Sequence, residues 1–301
     1  MNKFFDYLFH KPNKLLSIIW RKVGFLVPDE PYLKVQFRLL MGKRLDLKNP
    51  QTFSEKLQWL KLYNRQPEYT TMVDKYAVKD YVAKILGEEY IIPTLGVWDK
   101  LEDIDWDSLP NQFVLKCTHD SGGLVICRDK SKLDKKAAIK KLSKTLKQNY
   151  YRKWREWPYK NVPRRIIAEK YVESDSNLKD LYDYKFFCFS GKMIFFKIDF
   201  NRQVDHHANY YSRDCELLPF GEANYMPKPE EKLTIPDRIY DMIALAEKLS
   251  NGIPFVRCDF YCVGKQIYFG EMTFFPATGM GKIEPEEWDC KIGQLIQLPQ
   301  S

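Results

Sequence analysis

Histidine is scarce and paired cysteine is absent: there are four histidines in 301 residues, and the seven cysteines (117, 127, 188, 215, 258, 262 and 290) form no Cys-x-x-Cys pair and no Cys/His zinc spacing. The common structural zinc modules are thereby excluded, and an obligatory histidine base is not indicated. An odd number of cysteines seated in apolar strands reads as free thiols in a reducing compartment. Cys258 and Cys262, the one close pair, read as strand packing. No run reaches the ~20 apolar residues of a membrane span, and the first residues lack the apolar core and cleavage site of a secretory signal. The expectation is a cytoplasmic protein. Also missing are a repeat of fixed period, a low-complexity tract, the Gly-x-x-x-x-Gly-Lys-Ser/Thr phosphate loop and any recognised nucleic-acid motif.

What is present is a globular composition, 45% hydrophobic and 15% aromatic, enough for one large or two ordinary cores. A formal net charge of +8 favours anionic partners, whether nucleotides, nucleic acid, acidic glycans or the inner membrane face. Charge alone does not choose among them.

Residues 1–64 read mainly as helix. Phe4, Phe5, Leu8, Leu15, Leu16, Ile19, Trp20 and Val23 are interleaved with Lys3, Lys11, Lys14, Arg21 and Lys22, a basic amphipathic pattern that either lies on anionic lipid or packs on the main body. Thr52 and Glu55 carry the spacing of a capping box. Helix is expected over 74–83, strand over 90–94, strand over 113–117 and, after Thr118-His119-Asp120-Ser121-Gly122-Gly123, strand over 124–127. Glycines between two strands let backbone N–H groups approach a polyphosphate, although the same loop serves as an ordinary hairpin turn. A basic helix is expected over 133–153, a mobile loop over 154–163, and a strand over 165–173 running into a polar hinge. Strands 183–189 and 192–199 flank a Ser190-Gly191 turn, followed by a polar loop with Arg202, Asp205, His206 and His207.

The most informative stretch is a hairpin in the last third. Its first strand holds Arg257 and Asp259, its second Glu271 and Thr273, and residues two apart in a strand share a face. Carboxylates are rarely sunk into a sheet without a neutralising cation. Mg²⁺ suits such oxygens, especially with nucleotide phosphates completing its shell. The alternative is a cross-strand Arg257–Glu271 ion pair in an ordinary core. Lys116 and Lys185, each embedded in an apolar strand, likewise ask for an anion.

The order of these parts resembles the ATP-grasp superfamily over roughly 74–288, and more closely its TupA-like branch of bacterial surface-polysaccharide biosynthesis. Phe53 to Trp59, Val73 to Tyr76, Phe113 to Gly123, Asp183 to Phe187 and Arg257 to Pro276 carry the resemblance. It implies an α+β fold in which two subdomains, 65–173 and 174–301, clasp ATP, with residues 1–64 as a helical extension. It implies that Lys116 binds the α/β phosphates under the Ser121-Gly122-Gly123 loop, with Lys75 as a second contact. Lys170, Tyr171 and Val172 would read adenine, and Glu169 would lie near its amino group. Lys185 would hold the γ-phosphate, Asp259, Glu271 and Thr273 would hold Mg²⁺, and Arg257 would steady the transferred group. Thr273 stands where the wider superfamily usually has Asn, and Glu173, Asp175 and Asp180 compete for the ribose.

The chemistry implied is ATP-dependent joining of a carboxylate to an amine through an acyl phosphate. A uronic-acid sugar receiving an amino acid or another amine fits the resemblance, with His119, Arg202, His206 and His207 as candidate substrate contacts. No nucleic-acid partner is expected; peripheral contact with the inner membrane face, for which residues 1–25 are the candidate, or with the polysaccharide assembly machinery is the remaining expectation. Rival readings are a glycan kinase with the same nucleotide site, a glycosyltransferase using a nucleotide sugar, and a non-catalytic polyanion-binding module.

Overall fold

Two helices, α1 (Pro12–Val23) and α2 (Asp29–Met41), precede a third, α3 (Phe53–Tyr63), in a computed structural model that describes residues 11–120, 122–173, 181–201 and 205–299. Ser121, Arg202, Asp175 and Asp180 lie outside the described residues. The start of α3 is fixed by the expected capping box: the Thr52 hydroxyl accepts from the Glu55 N–H and the Glu55 carboxylate accepts from the Thr52 N–H. Helices α4 (Glu68–Val73) and α5 (Ala77–Leu86) follow.

The first sheet is built from β1 (Thr94–Trp98), β2 (Phe113–Cys117), β3 (Leu124–Cys127) and, after helices α6 (Lys135–Leu146) and α7 (Tyr150–Trp154), β4 (Ile166–Lys170). Its order is β1-β4-β2-β3, antiparallel throughout. The strand expected at 90–94 is displaced. Glu88–Tyr90 form a 3-10 turn and pairing begins at Thr94, because Pro93 has no N–H to give a ladder. The basic helix expected over 133–153 is broken into two, each with its own cap. Asp134 accepts from the Ala137 N–H at 2.9 Å, and Asn149 accepts from the Arg152 N–H at 2.8 Å. Residues 157–161, expected as a loop, form a 3-10 turn packed against α4 and α7.

The second sheet takes β5 (Asp183–Phe189), β6 (Lys192–Phe200), β7 (His207–Ser212) and, after the two-residue β8 (Gly221–Glu222) and helix α8 (Ile239–Ser250), β9 (Phe255–Val263) and β10 (Gln266–Thr273). Its order is β10-β9-β5-β6-β7. His207, expected in a loop, opens β7 instead. A short pairing of β11 (Ile283–Glu284) with β8 leads to helix α9 (Glu287–Leu295). The turn joining β5 to β6 has Ser190 at φ 48° and Gly191 at φ 82°, the doubly left-handed geometry that matches strand twist in two-residue hairpins.

The two faces of the second sheet differ in kind. Phe186, Ile198, Cys258, Phe260, Ile267, Phe269 and Met272 are buried in the largest hydrophobic cluster with Met242, Ile243 and Ala246 of α8. The opposite face carries Asp183, Lys185, Lys197, Asp199, Arg257 and Asp259. At one end of it, Phe53 of α3 lies edge-on to Phe255 with ring centroids 5.0 Å apart, and Asp289 of α9 accepts from the Ser54 N–H and hydroxyl, both at 2.9 Å. A separate core of Phe113, Leu115, Cys117, Leu142, Ile166 and Ala168 belongs to the first sheet. Among the described residues no helix is long and apolar enough to cross a membrane.

Candidate active site

A one-residue irregularity decides which side of β10 faces the site. Phe269 pairs with Phe260 and Glu271 with Asp259, so Gly270 is the extra residue of a bulge. Before the bulge Ile267 and Phe269 point into the core; after it Met272 does, leaving Glu271 and Thr273 on the charged face beside Asp259 and Arg257. Without that parity switch Glu271 would follow Phe269 into the apolar side. A Cβ at residue 270 would lie 3.0 Å from the Asp259 carbonyl oxygen, so the close backbone approach needs glycine.

On this face Arg257 forms a fork onto Asp259, Nε to Oδ1 at 2.7 Å and Nη2 to Oδ2 at 2.6 Å. Nη2 also donates to Glu271 Oε1 at 3.0 Å and Thr273 Oγ1 at 3.1 Å. Lys185, 7% exposed, sits among three carboxylates: it contacts Asp183 and lies 3.1 Å from Asp199 and 3.4 Å from Asp259. Burial works against its charge, and Asp183, Asp259 and Asp199 overcome it, holding the ammonium well above its usual range. Asp199 is itself opposed by burial but is held far below the usual carboxyl range by Lys197 and Lys185. Arg257 is kept firmly charged against burial by Asp259. Asp259 is raised, because its burial and the like charges of Asp183 and Glu271 outweigh Arg257 and Lys185.

The first sheet has the reverse arrangement. One carboxylate, Glu169, is shared by Lys79 at 2.6 Å and Lys116 at 2.5 Å. Glu169 is opposed by burial yet lies below the usual range, since both lysines favour its charge. Lys116 is opposed by burial but raised, chiefly by Glu169 and then by Tyr261 and Glu271. Those last two belong to the other sheet, so the ammonium of β2 feels the charge of the β10 carboxylate. Lys75 reaches the Asp120 carbonyl and is close enough to Glu271 to favour its ionised form.

The other expected residues divide. Gly122 has φ 145°, accessible to glycine alone, and a Cβ there would meet nothing within 4 Å. Gly123 is required for a different reason: its Cβ would lie 2.5 Å from Thr145 of α6. Lys170 ends β4, and the Tyr171 hydroxyl accepts from Arg128 Nε at 3.0 Å. His119, expected to touch substrate, is 3% exposed, and burial lowers its pKa, so it supplies a neutral ring and no charge. His206 bonds Asp199 Oδ1 at 2.9 Å, the carboxylate that Lys185 also contacts. His207 is tied to Asp205 at 2.9 Å and to the Met226 carbonyl at 2.7 Å.

Several members of the site escaped sequence reasoning. Asp183 and Asp199 stand two residues from Lys185 and Lys197, the same alternation that singled out Arg257 and Asp259, and that signal was available. Lys79, four residues after Lys75 on a helix, had no comparable mark.

The donor set suits a hard cation. Asp259 and Glu271 already share one positive group, the Arg257 guanidinium, and the Glu271 side chain remains 44% exposed. Among the described residues no three His, Cys, Asp or Glu groups converge closely enough to hold a metal by themselves. An ion here would therefore need further oxygens, which nucleotide phosphates supply.

A family model described as TupA-like ATPgrasp matches residues 55–297. No curated protein matches the chain. Among solved structures, the chain is similar to the D-alanine–D-alanine ligase of Bacillus anthracis complexed with ATP, at 16% identity over 68% of this chain and 54% of that one, with a TM-score of 0.37. It is also similar to the D-alanine–D-alanine ligase of Helicobacter pylori, at 15% identity over 82% and 69%, with a TM-score of 0.41. The ATP-grasp ligase PsnB complexed with minimal precursor, Mg and ADP gives 10% identity over 95% and 73%, with a TM-score of 0.40. The chain spans 54% of the length of the first of these.

Proposed function

Because the chain belongs to the TupA-like ATPgrasp family, we propose that it is an ATP-dependent ligase that joins a carboxylate to an amine. The observation that carries this reading is a pair of opposite charge balances: Glu169 is shared by Lys79 and Lys116 in one sheet, Arg257, Asp259, Glu271 and Lys185 cluster in the other, and the Glu271 charge favours the Lys116 ammonium.

In this reading the γ-phosphoryl group passes to a carboxylate oxygen of the acceptor. A new O–P bond forms, the bridge to the β-phosphate breaks, and ADP leaves. The amine nitrogen then attacks the acyl carbon, the C–N bond forms, phosphate departs with the C–O pair, and the nitrogen loses a proton. Asp259, Glu271 and Thr273 would hold Mg²⁺, which supplies charge neutralisation at the phosphates. Lys116, with Glu169 orienting its ammonium, and Lys75 bind the α/β phosphates under Ser121, Gly122 and Gly123. Main-chain groups of Lys170, Tyr171 and Val172 contact adenine. Lys185 and Arg257 offset the charge that builds on the transferring group. The Gly122-Gly123 loop and the segment 154–163 would exclude water, which would hydrolyse a mixed anhydride.

We assign the acceptor to a uronic-acid sugar of a bacterial surface polysaccharide and the amine to an amino acid; the net charge of +8 supports an acidic glycan. Exposed Leu16, Ile19, Val23 and Leu26 beside Lys14 and Lys22 support a surface contact with anionic membrane for the N-terminal helices. The test is to incubate the protein with Mg-ATP, hexuronic acids or their oligosaccharides and a panel of amino acids, following ADP release and product mass. ADP release that needs both co-substrates, with an amide product, is expected. A phosphorylated sugar without amide would replace this reading with a kinase.

A further inference from the structure

The segment between α7 and β4 carries a buried carboxylate that the chemistry above does not use. Arg155 has φ 56°, a left-handed conformation uncommon for a residue with a side chain. This turn sends two neighbouring side chains in different directions. The Arg155 guanidinium, stacked 4.0 Å from the Tyr32 ring, donates to the carbonyls of Gly24 at 3.1 Å and Val27 at 3.0 Å and pairs with Asp29 at 3.1 Å. It pins the segment to the N-terminal helices. Glu156 occupies the position before a 3-10 turn, where a carboxylate would ordinarily cap the turn's N–H groups, yet it makes no such cap. It is 3% exposed, and its Oε1 is buried with no hydrogen-bond partner among the described residues.

The surroundings of that oxygen are built rather than accidental. Ala277 and Thr278, just beyond β10, have φ 46° and 56°, strain that persists only where neighbours over-determine it. They are held by α3. Lys61 donates to the Thr278 carbonyl at 2.6 Å and hydroxyl at 3.0 Å, to the Trp154 carbonyl at 3.3 Å and to Gln58 at 3.0 Å, while Gln58 donates to the Gly279 carbonyl at 2.7 Å. All of these Lys61 partners are neutral oxygens, so Lys61 offsets the charge of Glu156 only from a distance. The Thr278 and Tyr150 hydroxyls favour the ionised form of Glu156. The Tyr150 and Tyr159 rings lie with centroids 4.7 Å apart. Burial first, and then the charges of Glu156, Glu271 and Asp120, push both phenols well above their usual range. One open carboxylate oxygen and a pair of packed phenol rings therefore share this segment, within electrostatic reach of Glu271 of the proposed reaction centre.

A buried acceptor without a donor costs on the order of 1–3 kcal/mol, and a carboxylate edged by aromatic rings is the environment that an alkylammonium satisfies by a charge-assisted hydrogen bond and cation–π contact. We propose that Glu156 Oε1, with the rings of Tyr150 and Tyr159, is the subsite that receives the amine substrate as its ammonium. The assignment rests on the ligase reading for its place in the reaction, but amine binding can be measured without turnover.

The experiment is saturation-transfer NMR of ethylammonium, with isosteric, neutral ethanol as control, on the full chain with and without Mg-ADP. Wild-type protein should bind ethylammonium and not ethanol. Glu156→Gln, which keeps shape and removes charge, should weaken ethylammonium binding by roughly tenfold or more, the size of one charge-assisted hydrogen bond, with Mg-ADP affinity unchanged. Glu156→Asp should fall between. Equal ethylammonium binding by wild type and Glu156→Gln, or none by a wild-type protein that binds Mg-ADP, would overturn the subsite. Failure to bind Mg-ADP would instead overturn the ligase reading, while ethylammonium binding still reports on Glu156.

Discussion

The two sheets bury lysine beside carboxylate in opposite proportions. In the first, one acid, Glu169, is shared by Lys79 and Lys116. In the second, one ammonium, Lys185, is shared by Asp183, Asp199 and Asp259, while Arg257 spans Asp259 and Glu271. Each group is costly to bury alone and tolerable in company. The surplus is positive on one side and negative on the other. A polyphosphate carrying a divalent cation has the matching pattern, which is why this asymmetry is more informative than either sheet separately.

The comparison breaks most sharply at Asp259. Asp259→Asn should lower amine-dependent ADP release by on the order of a thousandfold, as loss of one charge-stabilising group does at preorganised sites. It should also lower the melting temperature, since Arg257 and Lys185 lose a partner whose removal costs about 3–5 kcal/mol when buried. Coupled-enzyme assay and thermal melts check the two halves separately. Wild-type turnover in this variant would show that the acidic surplus is only structural.

The cationic side is sharpened by Lys116→Met. ATP affinity measured by calorimetry should fall by roughly tenfold to a hundredfold, the scale of hydrogen bonds to a charged group, while the amine KM stays unchanged. Glu169 would keep Lys79 as partner, so the fold should survive.

The smallest effect concerns Glu156, which has neither sheet's cations in contact. Burial raises its carboxyl from the ordinary 4.5 to about 7, against Lys61 and the Thr278 and Tyr150 hydroxyls. The folded state then keeps a proton that the unfolded chain loses as pH climbs between those values, so the stability tied to that proton is present below the lower value and lost as pH rises through the upper one. Melts of Glu156→Gln should therefore coincide with wild type near pH 4 and exceed it above pH 7, by on the order of 1–3 kcal/mol. Parallel melts across that range would place Glu156 in water.

Much of the second sheet was legible because its signals are local. Ser190-Gly191, the 255–273 hairpin and the Thr52–Glu55 cap each depend on residues within one turn or one strand pair. The α+β architecture and the family followed from the order of such parts. Misreadings arose where local patterns compete: Pro93 delayed β1, Asn149 restarted a helix that periodicity ran together, and His207 sits in a strand whose first residues look like a polar loop. The burial of His119, which lowers its imidazole pKa, is invisible in a list of polar neighbours.

By itself the chain determined which residue types alternate along which strands, since a period of two or a cap needs only neighbours in sequence. Tertiary structure alone decided that Gly270 would shift the pleat and carry Glu271 to the charged face, that Lys116 and Lys79 would share Glu169, and that Glu156 would be buried with an open oxygen. Those outcomes depend on register and desolvation, which arise only when segments far apart in the chain exclude water from one another.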